Sequence, residues 1–188
     1  EMMVVQGAQI VDVGGESTRP GAERTSLETE QTRVLPVIAA ITNKLNVTVS
    51  IDTMNSATAR KAVEAGAKIV NDISGGLADP EMFNAIKDLD CHYVLGHWRG
   101  HSDQMDSFAV YSDVAREVVA ELAEQVAMAV ASGISRERII VDPGLGFAKD
   151  IHQNWDLVNR LDELEKLSLP VLVGASRKRF LAHALSPS

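Results

Sequence analysis

An α/β fold built on parallel strands is predicted by two features of the sequence. Short β-rich runs alternate with amphipathic stretches along the whole chain, and each run delivers polar, glycine-rich residues at its C-terminal end. The runs are AQIVDV (8–13), NVTVSID (46–52), AKIVND (67–72), HYVLGH (92–97), RIIVD (138–142) and LPVLVG (169–174). The third is a near-continuous apolar run of the kind buried on both faces, as in a parallel sheet. The amphipathic stretches cover 27–43, 55–65, 80–88, 112–132, 151–165 and 177–184. TSLE at 25–28 reads as a capping box that opens the first of these helices. EAGA (64–67) and ASGI (131–134) place glycine where a helix stops before the next strand.

The segments behind the strands decide between the two architectures such alternation allows. They are GGESTRPGA, IDT, NDISGG, GHWRGH, DPGLGFAK and GASRKRF. A doubly wound sheet gathers its ligand contacts at one switch point, whereas a (β/α)8 barrel gathers all its strand ends on one face. Six loaded loops favour the barrel. A full barrel needs eight strands and about 250 residues, so six strands in 188 residues imply about six of eight βα units. EMMVVQGA reads as the end of a helix and FLAHALSPS as a helix running into a loop. The expectation is one barrel domain over 1–188, incomplete at both ends.

Composition bounds the function. At 45% hydrophobic the chain can bury one substantial core. A net charge of -8 argues against a nucleic-acid surface. One cysteine, Cys91, excludes an internal disulfide and fits a reducing compartment. No apolar run approaches the roughly 18 residues of a membrane span, and no signal-peptide pattern is visible, so a cytoplasmic location is expected.

VDVGGESTRPGA, SIDT, NDISGG, DPGLGFAK and VGASRKRFL resemble, in order and spacing, the signature segments of the dihydropteroate synthase family. HWRG and GASRKRF look closest to its actinobacterial members. The resemblance runs across essentially the whole chain and implies a (β/α)8 barrel, commonly a homodimer. It implies condensation of 6-hydroxymethyl-7,8-dihydropterin pyrophosphate with p-aminobenzoate, release of pyrophosphate, a place in folate synthesis and sensitivity to sulfonamides. By resemblance, Asp52, Asn71, Ile73, Asp142 and Lys178 match the pterin pocket. Thr18, Arg19, Pro20, Gly146, Phe147 and Ser176 match the aminobenzoate pocket, and Arg19 also meets the pyrophosphate. Arg19 and Lys178 are the residues to which catalysis is assigned. A Mg2+ ion is implied too, but the asparagine associated with it would precede residue 1, so no metal ligand is expected within 1–188. A C-terminal strand with a pyrophosphate-holding arginine and histidine would follow residue 188.

The residue chemistry agrees with that reading. A pterin presents amino and N–H donors beside nitrogen and carbonyl acceptors; carboxylates accept, while an amide or ammonium donates. Asp52, Asn71, Asp142 and Lys178 supply that set at strand ends. Each also has a plainer reading: Asp52 as a helix cap, Asn71 and Asp142 as braces of a turn, Lys178 within SRKR as a solvated helix start. Cations are unfavourable at a helix N-terminus, which favours a ligand role for Lys178; a Schiff-base lysine is a further alternative. Arg19 suits phosphate geometry, and the glycines around it let its loop close. Phe147 alone would more often be packing.

Gly96 departs from the family, whose members usually carry methionine before the histidine; its loss would leave a void or alter ligand preference. His97 reads as a hydrogen-bonded structural histidine more readily than as a ligand contact. Cys91, His97 and His101 raise a zinc reading that lacks a common structural ligand set. Two rivals remain: a pterin-binding barrel that transfers methyl to a corrinoid, and a non-catalytic paralogue that kept the fold.

Overall fold

The structure, a computed structural model, describes residues 1–17, 25–101, 104–176 and 178–181. Among these, five strands form one sheet: β1 Ile10–Gly14, β2 Thr48–Asp52, β3 Ile69–Asp72, β4 His92–Gly96 and β5 Ile139–Asp142. Every neighbouring pair is parallel, and spatial order follows sequence order from β1 to β5. A doubly wound sheet reverses its order part-way, whereas a barrel sets each strand beside the last. The observed order is the barrel's, and the five strands form an arc of it.

Helices α1 Met2–Val5, α2 Leu27–Lys44, α3 Ser56–Glu64, α4 Met82–Lys87, α5 Val114–Ala131 and α6 Ile151–Asn159 flank the strands. Periodicity sets their buried faces. Val114, Val118, Leu122, Val126 and Ala129 recur every three or four residues, which puts them on the side of α5 that packs against β4. Val34 and Ile38 do the same for α2 over β1 and β2. Each fully buried aliphatic side chain of this kind contributes about 1.5–3 kcal/mol. Gly66 and Gly133 follow α3 and α5 with φ of 110 and 105, the left-handed stops the sequence predicts.

Three local expectations change. Ser26 rather than Thr25 caps α2, its hydroxyl accepting the Thr29 N–H at 3.3 Å, so TSLE is not a capping box. A true box opens α6 instead: Asp150 accepts from the Gln153 N–H, and Gln153 Oε1 accepts from the Asp150 N–H, both at 2.8 Å. The predicted helix over 151–165 breaks at Arg160 into α6 and a 3-10 segment, Leu161–Leu167.

The sixth predicted strand contracts to a single parallel bridge between Val171 and Val141. The Val141 N–H donates to Pro170 O and the Leu172 N–H to Val141 O, each at 2.9 Å. Pro170 has no N–H for a longer ladder, and Ser168 ahead of it turns left-handed at φ 49. Of the stretch 177–184, residues 179–181 are helical and the others, except Lys178, lie outside the described residues. Among the described residues no helix is long and apolar enough to cross a membrane.

Candidate active site

The C-terminal ends of the strands converge on one face. The sheet register sets Gly14 beside Asp52, Asp52 beside Asn71, and Gly96 beside Asp142. The Asn71 amide donates to Asp12 Oδ2 at 3.2 Å. This bond skips β2 to join β1 to β3, as inward residues from alternate strands do in one layer of a barrel. Asp12, an exposed position of β1 next to the buried Val11, was not singled out in the sequence.

Asp52 does not cap α3: the Ser56 N–H at that terminus is taken by Asp79 at 2.7 Å, while Thr53, Asn55 and Thr58 all donate to the buried Glu30. Asn71 braces no turn but reaches across to Asp12. Asp142 does brace one, since Oδ1 accepts the Gly144 N–H at 2.7 Å. That leaves Oδ2, which lies toward Gly174.

Lys178 joins the two halves of the face. Its stem crosses Gly146 so closely that a Cβ there would stand 2.9 Å from Lys178 Cδ. Its ammonium sits 3.9 Å from the centre of the Phe147 ring, a cation–π contact. Burial, together with the nearby charges of Asp12, Asp72 and Glu30, raises Asp52 to about 8 against the pull of Lys178. Burial likewise raises Asp142, against the Gly144 N–H and the Lys178 charge. Lys178 itself is lowered, burial outweighing its attraction to Asp142 and Asp52. Buried carboxylates with oxygens still open to donors, Asp142 through Oδ2, beside a partly buried ammonium make a site that gains by taking a ligand offering both donors and acceptors.

The structure thus brings together Asp52, Asp142, Gly146, Phe147 and Lys178, with Asn71 adjacent to Asp52 in the sheet. Ile73 is half-buried, its backbone against Gly96. Ser176 is exposed in the turn ahead of Lys178, and among the described residues no contact joins it to the group. Thr18, Arg19 and Pro20 lie outside the described residues. The part of that loop in view is packed rather than loose: a Cβ on Gly15 would fall 2.8 Å from Val34 and 3.0 Å from the Glu30 carbonyl. Gly15 is required by space against α2.

Two expectations about β4 resolve. A Cβ on Gly96 would lie 2.6 Å from Ile73 O and 2.7 Å from its Cα, so the Ile73 backbone fills the place of the side chain and no void opens at that point. His97 is buried, one ring nitrogen 2.9 Å from Glu121 Oε2 and the other 2.9 Å from Lys149 Nζ. Burial lowers the Lys149 amine to about 7; in its protonated form it only donates, so that Nδ1 then accepts and Nε2 carries the proton given to Glu121. Cys91 and His97 flank opposite ends of β4, and among the described residues no group of three or more His, Cys, Asp or Glu could hold a metal. The zinc reading ends there, and the described residues supply no cage for Mg2+ either.

Behind Phe147, Lys149 and Asn154 are buried beneath the strand-end loop, another feature the sequence did not announce. Three of this loop's residues are left-handed: Gly144 at φ 67, Gly146 at φ 78 and Ala148 at φ 47.

A family model described as "Pterin binding enzyme" matches residues 1–187. The chain is 49% identical to the dihydropteroate synthase of Mycobacterium leprae over 98% of its own length and 65% of that protein. It is 43% identical to the Bacillus subtilis enzyme of the same name, covering 97% of this chain and 62% of that one. The chain therefore spans less than two thirds of the length of these relatives. Among solved structures it is similar to a Xanthomonas albilineans dihydropteroate synthase with 4-aminobenzoic acid, at TM-score 0.92 and 37% identity, over 100% of this chain and 66% of that one. A Yersinia pestis dihydropteroate synthase with a sulfonamide matches at TM-score 0.94 and 35% identity, over 98% and 66%.

Proposed function

The chain belongs to the family of pterin-binding enzymes, and from that premise we propose that the protein is a dihydropteroate synthase, a transferase of folate synthesis. It condenses 6-hydroxymethyl-7,8-dihydropterin pyrophosphate with p-aminobenzoate. The observation that carries this reading is the single ammonium of Lys178, set between the Phe147 ring and the carboxylates of Asp52 and Asp142. A residue so placed can meet a pterin on one side and an aryl amine on the other.

In this reading Asp52 and Asp142 accept from the amino and N–H groups of the pterin, and Asn71 donates to or accepts from the same edge. Ile73 closes against the ring. Gly146, Phe147, Ser176, Thr18 and Pro20 shape the aminobenzoate side. The amine nitrogen attacks the exocyclic methylene carbon; the new C–N bond forms, the C–O bond to pyrophosphate breaks, and the nitrogen gives up one proton. The amine is neutral and already nucleophilic, so the protein supplies orientation and charge stabilisation rather than a covalent nucleophile. Arg19 offers the departing pyrophosphate a guanidinium of matching geometry. Mg2+, implied by the family resemblance, would be held by phosphate oxygens and water rather than by any described cluster of side chains. A homodimer in the cytoplasm, inhibited by sulfonamides that mimic aminobenzoate, completes the proposal.

The test is pyrophosphate release by the protein supplied with the dihydropterin pyrophosphate and Mg2+, with and without p-aminobenzoate. Release that requires aminobenzoate and collapses in Lys178→Ala supports the assignment. Pterin binding without release by a folded protein overturns it in favour of a binding paralogue, and corrinoid-dependent methyl transfer overturns it in favour of the methyltransferase.

A further inference from the structure

We infer that Lys149 and Asn154 are positioning residues, a buried clamp that fixes the Gly144–Ala148 loop and so holds the Phe147 ring beneath Lys178. The inference rests on the synthase reading above for its kinetic consequence, and on geometry for the clamp itself.

The loop needs holding. A left-handed residue other than glycine is strained and persists where its surroundings over-determine it. Ala148 is such a residue, at φ 47 and 1% exposed, between two left-handed glycines and the start of α6. The turn's internal bonds are few: the Phe147 N–H to Gly144 O at 3.1 Å and the Gly144 N–H to Asp142 Oδ1 at 2.7 Å.

Lys149 supplies what is missing. Its ammonium has three N–H donors, and each finds an acceptor: Gly144 O at 3.1 Å, Phe147 O at 3.1 Å and His97 Nδ1 at 2.9 Å. Two of these are the carbonyls at either end of the turn. A glutamine could serve only two acceptors and a methionine none. The third contact ties the turn to the body of the barrel, because His97 Nε2–H donates to Glu121 on α5 at 2.9 Å and Arg99 Nε donates to that same carboxylate at 3.0 Å.

Asn154 grips the other side. Its carbonyl accepts the Gly146 N–H at 2.6 Å, and its amide donates to Lys149 O at 3.0 Å and Asp150 O at 2.7 Å. Helix capping does not explain this side chain, since Asp150 and Gln153 already cap α6 and Gly146 lies outside the helix. The two side chains together engage the backbone at 144, 146, 147, 149 and 150, leaving Phe147 free only in its ring.

Steady-state kinetics and amide hydrogen exchange on wild type, Lys149→Met and Asn154→Ala test this. The clamp predicts faster exchange across 144–148 in both variants and an aminobenzoate KM raised about tenfold or more. The dissociation constant of the dihydropterin pyrophosphate should shift less than that KM, because Asp52 and Asn71 lie off the loop and only Asp142 and Lys178 among the pterin residues touch it. A side chain that matters only for stability would lower the melting temperature and the active fraction without moving that KM. An aminobenzoate KM equal to wild type, or exchange at 144–148 unchanged in both variants, overturns the inference. If Lys149→Met does not fold, Asn154→Ala carries the test, since it leaves the ammonium and its three acceptors intact. Should wild type itself form no dihydropteroate, the synthase reading fails, and the exchange data alone then decide whether the clamp exists.

Discussion

The ammonium of Lys178 stands 3.9 Å from the centre of the Phe147 ring, while its stem lies across Gly146. Three residues from two separate strand-end loops thereby become one surface. Truncation in Lys178→Ala removes both the cation and the cover over Gly146, and the rate of dihydropteroate formation should fall about a hundredfold or more. Phe147→Leu, which keeps an apolar wall but not the π face, should cost the ammonium about 0.5–2 kcal/mol of local stabilisation and weaken aminobenzoate more than pterin. Initial rates at varied concentrations of each substrate check both outcomes.

Asp52 gives the unliganded protein a pH dependence of definite sign. Its carboxyl titrates near 8 when folded, against an ordinary value of 3.8, so the folded state holds the proton that the unfolded state releases. Stability from this group is fully present below the unfolded value and is lost as pH rises through about 8. Asp52→Asn should flatten that decline in urea unfolding between the unfolded value of 3.8 and the folded value of about 8. The ionised form is the better acceptor for pterin N–H groups, so pterin affinity should rise with pH over the same window in wild type and not in the variant.

His97 acts in the opposite direction. Burial and the Lys149 charge hold it at about 4, although Glu121 pulls it up. Glu121 is pushed up by burial, yet the hydrogen bonds of His97 and Arg99 prevail and bring it to about 2. Both groups are depressed, so their stability is present above the unfolded values and is lost on acidification, His97 first as pH falls from 6.5 toward 4. His97→Gln should remove the upper part of that acid loss at the expense of overall stability, as read from unfolding midpoints at pH 4, 5.5 and 7, values chosen to bracket the shift.

Side chains introduced at the packed glycines should be resisted. Gly15→Ala places a methyl 2.8 Å from Val34 and 3.0 Å from the Glu30 backbone, and Gly96→Ala places one 2.6 Å from Ile73 O. Each should destabilise by about 1–3 kcal/mol, the range for overpacking. Gly96→Met, which restores the methionine usual in the resembling family, must in addition displace the Ile73 backbone and should alter pterin affinity. Thermal unfolding and pterin titration distinguish the two effects.

The barrel architecture was legible because its signals are local. Each β-rich run declares a strand, and each polar strand end declares a face. The sixth run, LPVLVG, looked like the others, but what Pro170 and Ser168 do to a ladder depends on the partner strand, which periodicity does not contain. Asp52, Asn71, Asp142 and Lys178 could be proposed from the sequence because they sit in dense motifs. Asp12, Lys149 and Asn154 could not, because their importance lies in what they touch across the fold: an amide two strands away, two carbonyls and a histidine, a glycine N–H eight residues back. Gly15 was read as conferring freedom and proved to be a matter of space, which only the position of α2 reveals.

The sequential strand order has a kinetic consequence. Each strand pairs with its successor along the chain, so every ladder closes over a single helical unit, and topologies dominated by such near-neighbour pairings tend to fold faster than those that join distant segments. The span from Tyr93 to Ile139 is the widest, because it holds two 3-10 segments as well as α5. Until it closes, His97 lacks Lys149 beside it, because Lys149 follows β5 in the chain. A chain emerging from the ribosome can therefore pair its early strands in turn, while the segment carrying Asp142 and Phe147 must wait for the longest span to close, and Val171 can bridge to Val141 only after that.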